Sequence, residues 1–443
     1  MKLIRSFVLL AAIVFCVPFK VDASGFALVE QNASGLGNSF AGAAASAEDA
    51  STVFFNPAGM TYLQDNQLVL ASHAIKPTGT FSNQGSQTIS AAGTPVALQG
   101  GNGGDVGSWQ WVPNVYFAKA VTDRWRMGIG VNSPYGLKTQ YDANWVGRYQ
   151  ALTSDLTTIN INPSIAFKVN DYFSIGAGVD YQYAQATLSN ALDLGTICYG
   201  VVGPATCGSQ GLTPQTVDGN VNVQGSDWSW GYNLGVIFQP VKSVRFGVAY
   251  RSGIHHQLKG NANFSHIPAM LSPVLTSGSV SANLDLPDTL SSSIAYQANE
   301  HWEFLADTTW TNWSSFKQLS IMRTNGASLS NQPENWANTF RYSLGASYKY
   351  THNLKIRVGM AYDESPVSTV FRTARIPDNN RIWLSSGINY KFSPNSHLDI
   401  GYAHIFIDNT SINQGSIGSA VGLLSGQYSN NINIVSLQFS QAF

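Results

Sequence analysis

"DWSWGYNLGVIFQPVKSVRFGVAYRS", Asp227 to Ser252, decides the fold. Trp228, Trp230, Tyr232, Leu234, Val236 and Phe238 recur at every second position, and after "PVK" the period resumes with Val244, Phe246, Val248 and Tyr250. Arg245, Gly247, Ala249 and Arg251 take the other face. A period of two is a strand, and two such runs across a short turn are a hairpin. Working outward, "FRYSLGASYKY" (Phe340 to Tyr350) sets Tyr342, Leu344, Ala346, Tyr348 and Tyr350 against Arg341, Ser343, Gly345, Ser347 and Lys349. One face apolar and one polar suits either a half-buried sheet or a barrel with a greasy outside and a polar lumen.

The spacing of connections decides between these. The pattern predicts fourteen strands, near 66–77, 109–120, 124–133, 155–169, 172–188, 227–239, 243–258, 280–297, 301–313, 335–350, 354–363, 380–392, 397–409 and 430–443. Short connections ("VTD", "ND", "PVK", "ANE", "THN", "SPNS") alternate with long ones at 78–108, 134–154, 189–226, 259–279, 314–334, 364–379 and 410–429. An even strand count with short turns on one rim and long loops on the other is the pattern of an all-β, antiparallel outer-membrane barrel. Trp109, Trp111, Trp310, Trp313, Tyr350 and Tyr390 are expected in its interfacial girdles. The last strand, "VSLQFSQAF", puts Val435, Leu437, Phe439 and Phe443 on one face, resembling the terminal signal read by the barrel assembly machinery.

Composition agrees. Charged residues are 11% and aromatics 12% of 443 residues, with 41 Gly and a formal net charge of −1. So little charge fits a surface in lipid, and the near-zero balance excludes electrostatic capture of nucleic acid. Lys2 and Arg5 precede an apolar run, Phe7 to Phe19, too short to span a bilayer as a helix; "VDA" then offers a cleavage site. Residues 1–23 therefore read as a signal peptide rather than a membrane anchor, with Ser24 as the mature start. Removal takes Cys16 and leaves Cys198 and Cys207, nine apart in a Gly/Pro-rich stretch of an exported chain, which points to a loop disulfide rather than a zinc or redox site.

Residues 24–62 differ from the rest, being rich in Ala, Gly and Ser and ending in "FFNPAGM". Fourteen strands enclose more space than their own side chains fill. The segment is expected as a small helical plug inside a barrel of residues 63–443, the alternative being a periplasmic tail. A break in the wall is also expected. Pro113 falls in the second strand and Pro134 ends the third; with the hairpin turning at "VTD", Pro113 lies roughly opposite Asn132, and Tyr135 and Gly136 follow. Proline gives a sheet no N–H, so two this close open the ladder.

Inward parity collects Arg124, Arg126, Arg245, Arg251, Arg341, Arg357 and Arg381 with Asp180, Glu303, Asp307 and Asp363. They form either a neutralised lumen network or, at Arg251, Arg341 or Arg381, a site for a ligand carboxylate. No nucleophile elbow or metal-ligand spacing is present, and His255 and His256 face opposite sides of a strand. An outer-membrane enzyme, a general porin and an adhesin are the remaining functional classes; no cofactor or metal is called for.

The motifs "SGFALVEQNASGLGNSFAG", "NPAGM", "WVPN", "PYGL", "YRS", "WSSFKQL", "YDESPV" and "IPDNNRIWLSSGINYKF" resemble the FadL/TodX family of outer-membrane transporters for long-chain fatty acids and aromatic hydrocarbons. The resemblance implies a monomeric fourteen-stranded barrel, a hatch carrying Asn56, Pro57 and Ala58, and a third strand kinked inward to open the wall sideways into outer-membrane lipid. It also implies an N-terminal segment, with Phe26, lying beside the ligand and moving to release it. Asn190 and Ala337 stand where fatty-acid members carry basic residues, which keeps a neutral hydrophobic ligand in play.

Overall fold

The computed structural model describes residues 25–443. The signal peptide, its cleavage site, Cys16 and Ser24 lie outside the described residues. Fourteen antiparallel strands close into a barrel within the one chain. They are β1 (Gln67–Asn83), β2 (Gln110–Ala120), β3 (Trp125–Asn132, resuming at Gly136–Gln140), β4 (Thr153–Lys168), β5 (Phe173–Asp193), β6 (Asp218–Val241) and β7 (Val244–Arg251 with Ile254–Ser265). Then follow β8 (Gly278–Leu286 with Thr289–Gln297), β9 (Trp302–Thr311 with Gln318–Arg323), β10 (Ser328–Pro333 with Thr339–Lys349), β11 (Leu354–Asp363), β12 (Arg381–Ser393), β13 (Ser396–Ile407 with Thr410–Gly415) and β14 (Leu423–Ala442). β1 closes on β14 along its whole length, Gln67 opposite Ala442 and Asn83 opposite Gly426, so β1 and β14 leave no edge between them.

Alternation sorts the faces as the sequence predicts. Trp228, Trp230, Tyr232, Leu234 and Phe238 point out, while Asn233 and Ile237 are buried inside. The terminal Phe443 is exposed on the same outer belt as Val435 and Leu437. Among the described residues no helix is long and apolar enough to cross a membrane.

Five expectations need correction. The 314–334 loop is largely sheet: Gln318–Arg323 pairs with Ser328–Pro333 as an extension of β9 and β10. The period is interrupted there because the chain turns inward through a 3-10 turn at Trp313–Ser315, which also removes Trp313 from the girdle and buries it completely. The 410–429 loop likewise shrinks, since Thr410–Gly415 pairs with β14. Arg124 is exposed in the short β2–β3 turn rather than facing the lumen. Finally, the register Val115↔Val131 carries Pro113 to a place opposite Ser133, one residue beyond Asn132, because the hairpin closes through Val121 N–H to Trp125 C=O.

Residues 25–63 fill the lumen. Three single-turn helices (Ala33–Leu36, Ala43–Ser46, Thr52–Phe55) and a 3-10 helix (Pro57–Tyr62) bury most of their residues, Leu36, Val53, Ala58 and Met60 completely. Pro57 suits the first position of that last turn, and Asn56 caps it by accepting from Ala58 N–H at 3.1 Å. The Asn56 amide also donates to Ala44 C=O at 2.7 Å and Val236 C=O at 3.0 Å, tying the turn to β6. The wall makes room for this core with inward-facing glycines. A Cβ at Gly176, Gly235, Gly247 or Gly359 would sit 1.9–2.4 Å from an atom of the core.

Candidate functional site: an aromatic cage beside a gap in the wall

The gap begins where β3 loses register. Against β4, Asn132 pairs with Asn160 and Gly136 with Thr157, so three β3 residues face two of β4. That is a β-bulge, and it bends the strand. Thr158 satisfies it: its hydroxyl donates to Tyr135 C=O at 2.6 Å and accepts from Tyr135 N–H at 3.0 Å, while Ser133 Oγ donates to Thr158 C=O at 2.6 Å. On the other side the β2–β3 ladder stops at Val115↔Val131. Gln110 to Asn114 thus pair with β1 alone, and Gly136 to Gln140 with β4. Pro113 and Pro134 stand on the two banks.

The plug's first residues run into this gap. Ala27 bridges Tyr135 in antiparallel fashion, with Leu28 N–H donating to Pro134 C=O at 2.8 Å and Gly136 N–H to Phe26 C=O at 3.0 Å. Gly25, at φ +61°, lets the chain turn flat against Trp336 and Trp313. Its N–H donates to Asp378 Oδ2 at 3.0 Å, and its carbonyl accepts from Arg381 Nη2 at 2.8 Å. Phe26 enters a cage of Trp313, Trp336, Phe316 and Tyr135, with ring centroids 4.9, 5.5, 5.7 and 6.1 Å away. Burying it there is worth roughly 2–3 kcal/mol. Ile254, Leu258, Leu284, Leu286, Val367 and Ile376 continue the apolar shell.

Two cavities flank the segment. One of about 500 Å³ runs from Phe26, Glu30 and Arg381 past Tyr135 to Trp111, Val131 and Ile159 on the outer surface. The other, about 140 Å³, lies on the lumen side between Phe40, Phe54, Phe55 and Trp383 and reaches Arg251 and Arg341. Ala27, Leu28 and Tyr135 line both, so the segment is the partition.

The lumen arginines hold the plug. Arg251 pairs with Asp180 and donates to Phe54 C=O at 2.9 Å; Arg341 donates to Ser39 C=O at 2.8 Å, and Arg245 to Ala45 C=O at 3.1 Å. Arg357 bridges Glu48 of the plug and Asp399 of the wall, both at 2.6 Å. Glu30 is different: its Oε2 is buried without a partner, and burial holds its carboxyl up at about 7, against the pull of Arg381 and Arg341.

Arg375 is a functional candidate that the sequence did not single out. It descends from the loop between β11 and β12, donates to Thr153 C=O at 3.0 Å and Ser154 Oγ at 3.1 Å, and reaches Asn190 Oδ1 at 3.3 Å. A cation from elsewhere in the chain therefore stands beside Asn190, where none was expected; only tertiary structure could reveal it. Ala337 lies near the β10 bend, its N–H donating to Pro366 C=O at 3.1 Å. Cys198 and Cys207 are joined, linking two short helices (Leu194–Val201, Pro204–Ser209) that pack on Leu271 in the outer loops. Among the described residues no group of three or more His, Cys, Asp or Glu side chains is gathered for a metal.

Known proteins share this plan. The long-chain fatty acid transport protein of Escherichia coli K12 is 30% identical over 92% of this chain and 93% of its own. A putative outer membrane protein of Neisseria meningitidis serogroup B is 31% identical over 96% and 95%. The crystal structure of a Pseudomonas aeruginosa FadL homologue superposes with a TM-score of 0.85 at 26% identity, covering 95% of this chain and all of that one. The Ralstonia pickettii toluene transporter TbuX shares the fold at 21% identity, with a TM-score of 0.65 over 93% and 98%. The sequence matches the outer membrane protein transport protein (OMPP1/FadL/TodX) family over residues 14–443, and the chain belongs to that family of outer-membrane barrels.

Proposed function

We propose that the protein takes up hydrophobic molecules across the outer membrane, long-chain fatty acids or related apolar compounds. Cargo enters from the outer loops, passes the plugged lumen and leaves sideways between β2 and β3. The observation that carries this reading is the cavity joining the Phe26 cage to the lipid-facing surface through the break in the ladder. An apolar molecule gains about 25 cal/mol per Å² on leaving water, so an exit into the bilayer costs less than release into the periplasm. A water-filled porin has no use for such an exit. The relatives named as fatty acid transport proteins support the substrate class. The plug, Phe26 and the Asn56–Pro57–Ala58 turn act as the gate, the chain works as a monomer, and Phe443 is the handle for barrel assembly.

A second reading, transport of neutral aromatic hydrocarbons, is favoured by the engagement of Arg251, Arg341 and Arg381 with plug carbonyls and wall carboxylates. Growth of a deletion strain on oleate or on toluene-like compounds separates the two. For the route itself, Pro134→Val with Gly136→Val refills the wall. Uptake should fall at least tenfold while ligand binding to purified protein persists. Normal uptake by the correctly inserted variant would overturn the lateral exit.

A further inference from the structure

A strand has two edges, and both edges of the β3 bend are taken. Gly136 pairs with Thr157 of β4 on one side. Its N–H donates to Phe26 C=O on the other, and Pro134 C=O accepts from Leu28 N–H there. That second edge is the one β2 holds lower down, from Val115↔Val131 to Ala120↔Arg126. The N-terminal segment therefore sits where the continuation of β2 toward Trp111 would lie. It also grips β2 from inside: Asn114 Nδ2 donates to Glu30 C=O at 3.0 Å, and Tyr116 Oη to Gln31 Oε1 at 3.1 Å. Gln31 Nε2 donates back to Ser133 C=O of β3 at 3.1 Å.

We propose that residues 25–31 are a wedge competing with β2 for the free edge of β3, so that the docked segment holds the wall open and its withdrawal lets the wall close. Unpaired strand edges are costly at membrane depth, which drives Gln110–Asn114 toward β3 once the wedge leaves. Pro113 and Pro134 lack N–H donors, so the zipped ladder is short of hydrogen bonds and wins only when the wedge is absent. A two-state element of this kind couples two gates. With Phe26 caged, the exit is open and the cage is full. With Phe26 withdrawn, the cage accepts cargo and the exit is shut. Cage and wall are never open together, and the barrel passes cargo without a continuous leak.

The purpose assigned to these states rests on the proposed transport function, but the motion is measurable without cargo. Spin labels at Gln110→Cys and Lys138→Cys, one on each bank, report the width of the gap in the full-length protein in detergent or nanodiscs. Removing residues 25–28 should produce a shorter distance population, approaching the spacing of neighbouring strands, about 4.8 Å between backbones. Phe26→Ala, which keeps the segment's backbone and empties the cage, should produce the same population in smaller proportion and serves if the deletion does not insert. An unchanged or longer distance in the inserted variants overturns the wedge. Absence of hydrophobic uptake by the unsubstituted protein, together with a shortened distance in the variants, overturns the transport reading and leaves the wedge standing.

Discussion

Glu30 gives the residue scale its sharpest test. Its carboxyl is buried beside the gap, faced by Arg381, Arg341 and Asp363 from the wall, and titrates near 7 rather than at its ordinary 4.5. A raised carboxyl is protonated in the docked state. That state is therefore favoured in full below pH 4.5 and loses the advantage as pH rises through about 7, by up to roughly 3 kcal/mol. Amide exchange of residues 25–31 should accelerate between about pH 5 and 7 beyond its intrinsic dependence, and Glu30→Gln should flatten that rise; equal profiles would remove Glu30 from the gate. Phe26→Ala should speed exchange of the same amides at any pH, since it discards about 3 kcal/mol of caged ring. Phe26 was legible only through the family resemblance, which places the N-terminal segment beside a ligand. Glu30 was not legible, because nothing local in "ALVEQNAS" says that its carboxyl is desolvated. Arg375 escaped for the same reason, its meaning lying in Thr153, Ser154 and Asn190, far away in sequence.

At the scale of elements, the plug and wall are fitted by what the wall leaves out. Gly247 faces Ala44 C=O and Gly359 faces the Asn38 carbonyl carbon, where a Cβ would approach to 1.9 and 2.1 Å. Such distances are impossible for real atoms, so a side chain there must move the plug. Gly247→Ala with Gly359→Ala should displace it, and liposomes carrying the variant should swell in small sugars that the parent excludes. Sealed liposomes with correctly inserted barrels would mean the plug adapts. These glycines were readable as inward by parity, yet their purpose was not, since a strand glycine equally marks a bulge. Strand number and turn side were legible from period two and from the alternation of loop lengths. The errors fell where the chain leaves that period: at Trp313, which turns into the lumen, and along 318–333, where sheet continues beyond the membrane.

The whole molecule is a closed ladder with a low-charge exterior, and its orientation follows from its rims. The plug enters β1 at Gln67, which pairs with Ala442, so both ends of the barrel chain lie at the rim of short turns. Those turns are as brief as 242–243 and 394–395, while the opposite rim carries 194–217, 266–277 and 364–380. In outer-membrane barrels the short side is periplasmic, and the disulfide at Cys198–Cys207 then stands in the outer loops, facing an oxidising exterior. Because both cysteines after the expected cleavage site are joined, a single introduced thiol reports position without background. Val274→Cys, half exposed between β7 and β8, should react with a membrane-impermeant maleimide on intact cells. Asn395→Cys, in the β12–β13 turn, should react only after the outer membrane is permeabilised. The reverse pattern would invert the barrel, and with it the proposed entry of cargo from the rim of long loops.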